Sequence, residues 1–194
     1  MKILISGFKP FLGEKINPSQ KLAFDLQERF DNVEAVLLPV EFKQSFLILE
    51  REIQNLEPDV VIMLGQAGDR KNICLEKIGL NWVQTKNGDE AGIKPETGFI
   101  EPGVDLALMS PFAVDLHFEK LKEKNLPVEI SFSAGTYVCN DLYFRILNEF
   151  KILPAVFVHV PLIEEQSQSH QRPYLAYETQ LQVLTELVHS VRRN

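Results

Sequence analysis

The chain has 194 residues, a formal net charge of -7, 45% hydrophobic residues and 24% charged ones. This length and balance suit one large globular domain spanning residues 1–194, with a core that needs no metal or disulfide staple. The acidic charge and scattered Lys and Arg argue against a nucleic-acid binder, and two cysteines, Cys74 and Cys139, are too few for a disulfide framework.

No apolar run approaches the ~18 residues of a membrane span. The opening "MKILISGF" is too short for a signal-peptide core, so a reducing, cytoplasmic compartment is expected. No Cys/His spacing suggests a structural zinc, and the carboxylates near "NGDEAG" lack the repeated Asp spacing of a calcium loop, so no metal is expected.

In chain order, "KILISGF" (2–8) reads as a short buried strand. The stretch 17–30 is predicted as a helix with Asn17 as N-cap and Pro18 in the first turn. "VEAVLLPV" (33–40) is a second strand. The apolar spacing Phe42, Phe46, Leu49, Ile53, Leu56 predicts a helix over 41–57. "PDVVIMLGQAG" (58–68) is a wholly apolar third strand and therefore central. Residues 72–83 read as one strand, and 84–103 as a long polar loop or a pair of hairpins. A helix is predicted over 110–125 with Ser110 as N-cap, a strand over 128–135, a helix over 138–150 and a strand over 154–162. Residues 164–173 read as a loop. The closing helix covers 176–194, its basic end "HSVRRN" suiting the helix dipole. Strands and helices alternate, which argues for an α/β sandwich with a largely parallel sheet.

In such sheets, sites form at the carboxyl ends of strands. Cys139 follows a strand and a Gly-Thr turn, His159 lies near the end of an apolar strand, and Glu76 follows a strand end shortly. Together they can supply a nucleophile, a base and an orienting acid. Singly, each also reads as a packed cysteine, a satisfied core histidine and a solvent-facing glutamate. The amino end of a helix favours a thiolate and can hold an oxyanion. Phe8 and Phe11 either anchor their loop or form an aromatic wall for a small, flat ligand. "SGFKPFLGE" has too few glycines, and no Lys-Ser/Thr ending, for a phosphate cradle. Cys74 reads as a buried hydrophobe, and His117, His170 and His189 as solvated.

At these residues the chain resembles the pyroglutamyl peptidase I family of cysteine peptidases, also called pyrrolidone-carboxylate peptidases. "SGFKPFLGEKINPS" is similar to the family's GFxPFGGExxNPS, and "LGQAGDRKNICLEKIGLN" to its segment with the triad Glu. "SAGTYVCNDLYF" resembles the segment with the nucleophile, "FVHVPLIEEQ" the segment with the base, and "AYETQLQVLTELV" the final helix. The matches keep the family's order along almost the whole chain. The resemblance implies a three-layer α/β/α sandwich around a twisted, mainly parallel sheet. It implies Cys139 as nucleophile, His159 as base and Glu76 as the acid orienting it. It also implies a pyroglutamyl pocket lined by Phe8 and Phe11 with Gln66 nearby. The implied substrates are small peptides with an N-terminal pyroglutamate; no cofactor is implied, and the implied assembly is a homotetramer.

The chain departs from the family pattern in places. Lys86, in "QTKNGDEAG", stands at the substrate-binding position where the family has Arg, and a Lys cannot copy a planar guanidinium contact. Leu12 replaces a Gly, Gly79 an Ala, and Asp141 a His or Asn. The leading expectation is an omega-peptidase releasing pyroglutamate. The alternative is a catalytically weak or inactive homologue binding a small lactam or peptide end. A different α/β hydrolase or phosphorylase is a third reading, which leaves the ordered motif matches unexplained.

Overall fold

The computed structural model describes residues 1–170 and 172–192, apart from the side chains of 168–170. Its centre is a six-stranded sheet in the order β2-β1-β3-β8-β4-β7. The strands are β1 (Ile3–Phe8), β2 (Val33–Leu38), β3 (Val60–Gln66), β4 (Ile73–Glu76), β7 (Val128–Ser131) and β8 (Ala155–Val160). Every pairing is parallel except one: β4 runs antiparallel to β8. Two short strands, β5 (Ile78–Leu80) and β6 (Ala107–Met109), form a separate antiparallel pair.

Helices cover both faces, as the strand alternation dictates. Ile3, Ile5, Ile62, Leu75 and Val158 point to one face and pack with α1 (Pro18–Arg29), α3 (Val114–Glu123) and α6 (Tyr177–Arg192). Leu4, Val61, Met63 and Phe157 point to the other and pack with α2 (Gln44–Leu56) and α4 (Val138–Glu149). β1, β3 and β8 are buried on both faces, which is why they read as mostly apolar runs. The expected three-layer arrangement is the one observed. Asn17 caps α1 as predicted, its side chain accepting the Ser19 N–H at 3.1 Å.

Four local expectations change. The predicted strand 72–83 breaks at Lys77, where the chain leaves the main sheet: Lys77 N–H bonds to Ser131, and its carbonyl accepts from Ser110. Ser110 does not cap α3, because Pro111 and Phe112 intervene. Its hydroxyl donates to the Ala155 carbonyl and accepts the Phe112 N–H instead. Residues 164–173 are not wholly loop, since α5 occupies Glu164–His170. Gln166 accounts for it: its side chain accepts the Ile163 N–H at 3.3 Å while its own N–H bonds back to the Ile163 carbonyl. This reciprocal start is the Gln half of a capping box, and Glu164 and Glu165 suit the helix dipole.

The fourth change is His117, which is buried rather than solvated. It lies between Val114 and Leu121 on the inward face of α3, at the spacing of an apolar stripe. Its Nδ1 donates to the Ser190 hydroxyl (2.7 Å), which donates onward to the Leu187 carbonyl, and its ring stacks on Phe112. His189 is half-buried, edge-on to Phe30. The His170 side chain and Arg193 lie outside the described residues.

Burial, with a smaller push from Lys120, lowers the His117 pKa from 6.5 to about 4. The unfolded chain therefore takes up a proton below pH 6.5 that the folded chain refuses until about 4. Stability is expected to fall as pH drops through that window. His117→Phe should flatten the decline in urea midpoint relative to wild type; an unchanged pH dependence would contradict this role.

Candidate active site

Alternation along two neighbouring strands brings the first pair of site residues together. On β8, His159 shares a face with Phe157, the face that carries α4. On β4, Glu76 pairs with Phe157 and Cys74 with His159, in antiparallel register. Glu76 is therefore the diagonal neighbour of His159, within reach of a long side chain. His159 Nδ1 lies 2.8 Å from Glu76 Oε1. A carboxylate only accepts, so Nδ1 carries a proton and Nε2 is the ring nitrogen left for other partners.

Glu76 is fully buried. Such a carboxylate needs compensation. Arg70, in the loop between β3 and β4, supplies it: its Nη2 lies 3.6 Å from Glu76 Oε1. The same nitrogen donates to the Ser131 hydroxyl at 3.0 Å and to the Ser133 carbonyl at 3.3 Å, which fixes the guanidinium between β4 and the end of β7. On the helix side, the Tyr143 hydroxyl donates to the Glu76 carbonyl at 2.8 Å.

Cys139 is the second residue of α4, which begins at Val138. The turn that delivers it needs Gly135, whose φ of +81° suits glycine. Its sulfur sits over the sheet above Gly65, the β3 residue in register with His159. A Cβ on Gly65 would lie 2.6 Å from the Phe157 ring and 3.2 Å from Cys139 Sγ, so the thiol occupies space that only glycine leaves. Asn140, fully buried, pins the start of α4: it accepts from Leu80 N–H and donates to the Leu80 and Trp82 carbonyls.

Cys139 and His159 both line an apolar cavity of about 200 Å³, together with Phe8, Phe11, Gln66 and Tyr137. Gln66 sits at the end of β3, its Oε1 accepting from Gln166 Nε2 at 3.0 Å. Phe8 is buried and packs on Phe157 at a centroid distance of 6.5 Å. Of the seven residues singled out from the sequence, six therefore converge here: five line or open onto the cavity, and Glu76 stands behind His159. Lys86 does not. It is exposed and is not part of the cavity wall.

The loop that carries Lys86 is nevertheless held against the site. Buried Asp89 accepts the N–H groups of Phe42, Ala91 and Ile93. Tyr137 donates to the Gly88 carbonyl and Thr136 to that of Gln84. Glu90 accepts the Leu12 N–H at 3.0 Å, steadying a leucine held at φ +53°. Asp141 accepts the Lys43 N–H and pairs with Arg145, so it braces the entry to α2. Sequence reasoning missed Tyr137 and Arg70. Tyr137's adjacency to the helix start was the available signal, whereas Arg70 acts through a fold-dependent contact. Among the described residues, no group of three or more His, Cys, Asp or Glu side chains is arranged to hold a metal ion.

The helix start does not by itself make Cys139 a thiolate. Burial, and then the charge of Glu76, push the thiol up to about 12, against a smaller lowering by its own backbone N–H. Both effects favour the protonated thiol over the thiolate in the free protein. Its labelling rate with iodoacetamide should climb continuously with pH through neutrality and beyond about 9. A rate independent of pH from about 6 upward would reveal a preformed thiolate instead.

The family model described as "Pyroglutamyl peptidase" matches residues 1–194. The pyrrolidone-carboxylate peptidase of Thermococcus onnurineus is 37% identical over 185 residues, covering 92% of each chain. That of Lactobacillus acidophilus is 33% identical over 191 residues, covering 95% of this chain and 96% of its own. Among solved structures, Bacillus amyloliquefaciens pyroglutamyl peptidase I superposes with a TM-score of 0.94 at 27% identity, covering 100% of this chain and 97% of that one. A mutant pyrrolidone carboxyl peptidase from Pyrococcus furiosus superposes with a TM-score of 0.90 at 31% identity, covering 100% and 99%. Sequence, fold and the match of the whole chain to the family model agree: this chain belongs to the pyroglutamyl peptidase family.

Proposed function

We propose that this protein hydrolyses the bond after an N-terminal pyroglutamyl residue, with Cys139 as nucleophile, His159 as general base and Glu76 as the acid that orients it. The observation that carries this reading is the His159–Glu76 contact at 2.8 Å, set in the wall of the apolar cavity onto which Cys139 opens.

The cavity suits the ligand. At about 200 Å³ it is smaller than the roughly 300–1,000 Å³ of pockets for drug-sized molecules, as a single five-membered lactam requires. Phe8 and Phe11 supply flat apolar walls for the ring. With Gln66 Oε1 engaged by Gln166, its Nε2 is the donor left for the lactam carbonyl. An ordinary N-terminus would bring an ammonium into these walls without a counter-charge, and the desolvation cost rejects it. Lys86 is given no part in binding.

In the reaction, His159 Nε2 takes the Cys139 proton as sulfur attacks the pyroglutamyl carbonyl. Amide groups at the start of α4 hold the resulting oxyanion. The C–N bond then breaks, with His159 returning the proton to the leaving amine. A water, deprotonated by His159, attacks the thioester; the C–S bond breaks, pyroglutamate leaves and the thiol regains its proton. Glu76 steadies the imidazolium in both half-reactions. The raised pKa of Cys139 fits this order, in which proton removal accompanies attack.

Family likeness also supports a homo-oligomer, and two free thiols suit a reducing, cytoplasmic setting. The alternative of a weak or inactive homologue rested on the loop around Lys86. That loop is docked on Thr136 and Tyr137, in the turn that leads into α4, which favours the active reading. Release of coumarin from a pyroglutamyl-coumarin amide decides between them. Wild-type protein should turn it over, Cys139→Ala should not, and Glu76→Gln should lose about 10²–10⁴ in kcat. A folded wild type without turnover would exclude the peptidase reading, and activity surviving in Cys139→Ala would exclude the mechanism.

A further inference from the structure

We propose that an open groove beside His159, lined by Gly68, Asp69, Arg70, Ser133 and Gly135, binds the peptide chain that follows the scissile bond. The inference rests on the peptidase reading above and adds a second binding site to it.

Two concavities meet at Ala134 and His159. The first is the apolar cavity under Phe8, Phe11 and Tyr137, which takes the pyroglutamyl ring. The second is larger, about 420 Å³, and its lining contains no aliphatic side chain bigger than alanine. The reaction fixes which part of the substrate enters each. The carbonyl carbon must sit at Cys139 and the leaving nitrogen must reach His159 for its proton. The chain beyond that nitrogen therefore passes His159, and the space on that side is the groove.

The groove's chemistry fits a peptide backbone. Ser133 and Asp69 are exposed, and Asp69 has no partner among the described residues. Gly135 leaves open space where a side chain would stand. Arg70 directs one nitrogen inward to Ser131, Ser133 and Glu76, and its half-exposed guanidinium keeps further N–H donors for a peptide carbonyl. The same residue thus compensates the buried carboxylate and forms a wall of the groove. A separate groove at Lys15 and Gln166 includes neither Cys139 nor His159, and serves as the comparison.

The test compares two substrates, pyroglutamyl amide, whose leaving ammonia fills no groove, and pyroglutamyl-Ala-Ala-Ala amide. Wild-type kcat/KM should be at least about tenfold higher for the longer one, because contacts remote from the reacting bond are drawn on in the transition state. Asp69→Trp, filling the groove, should cut the long-to-short ratio of kcat/KM by about tenfold, whereas Lys15→Trp should leave the ratio unchanged. A ratio is insensitive to the fraction of protein folded. Turnover of both substrates with a ratio near one, a ratio unmoved by Asp69→Trp, or one moved by Lys15→Trp would each overturn the groove while leaving the peptidase reading standing. Turnover of neither substrate by folded wild type would overturn that reading and the groove with it.

Discussion

The antiparallel placement of β4 against β8 is the constraint on which the site depends. In an otherwise parallel sheet, this reversal pairs Cys74 with His159 and Glu76 with Phe157. Glu76 is thereby carried back along β8 to a diagonal contact with His159 on the face that α4 covers. The break at Lys77 follows from the same requirement. The strand ends where the carboxylate has been placed, and the chain leaves to form the small β5–β6 sheet.

Burial sets the electrostatics that follow. The Glu76 side chain is wholly out of water and faces Arg70 at 3.6 Å and His159 at 2.8 Å. One cation and one imidazole therefore face Oε1 of a charge that solvent cannot reach, while Oε2 is buried with no hydrogen-bond partner. Partial burial, and the charge of Glu76, raise the Cys139 thiol rather than lowering it, so the helix start alone does not activate the sulfur. In the proposed mechanism activation comes from His159 as the base, with Glu76 orienting it from behind. Arg70 accordingly bears on Glu76 from behind the site, and its fixed position between Ser131 and Ser133 lets it do so.

Much of this was legible in the sequence. Mostly apolar runs at 3–8, 60–66 and 155–160 marked central strands because both faces are covered. The position of Cys139 just after a Gly-Thr turn marked a helix start. Other features depend on contacts no local pattern records. The handover at Lys77 is decided by pairing with Ser131 and Ser110, both more than thirty residues away. α5 consists of polar residues and owes its start to one Gln side chain. His117 was legible in principle, since Val114, His117 and Leu121 share a helical stripe; its polarity concealed what its spacing showed. Lys86 was singled out by alignment to a family position, but the loop turns it to solvent and fixes itself through Asp89. Arg70 could not be found from spacing, because its partner is reached only through the fold.

The most direct measurement is mass spectrometry of protein acid-quenched during turnover of a pyroglutamyl nitrophenyl ester, an activated substrate whose acylation outpaces hydrolysis. The expected result is one pyroglutamyl group on the peptide that carries Cys139, appearing in wild type and absent from Cys139→Ala. Sustained turnover with no adduct, or an adduct on Cys74, would contradict nucleophilic attack by the cysteine at the start of α4.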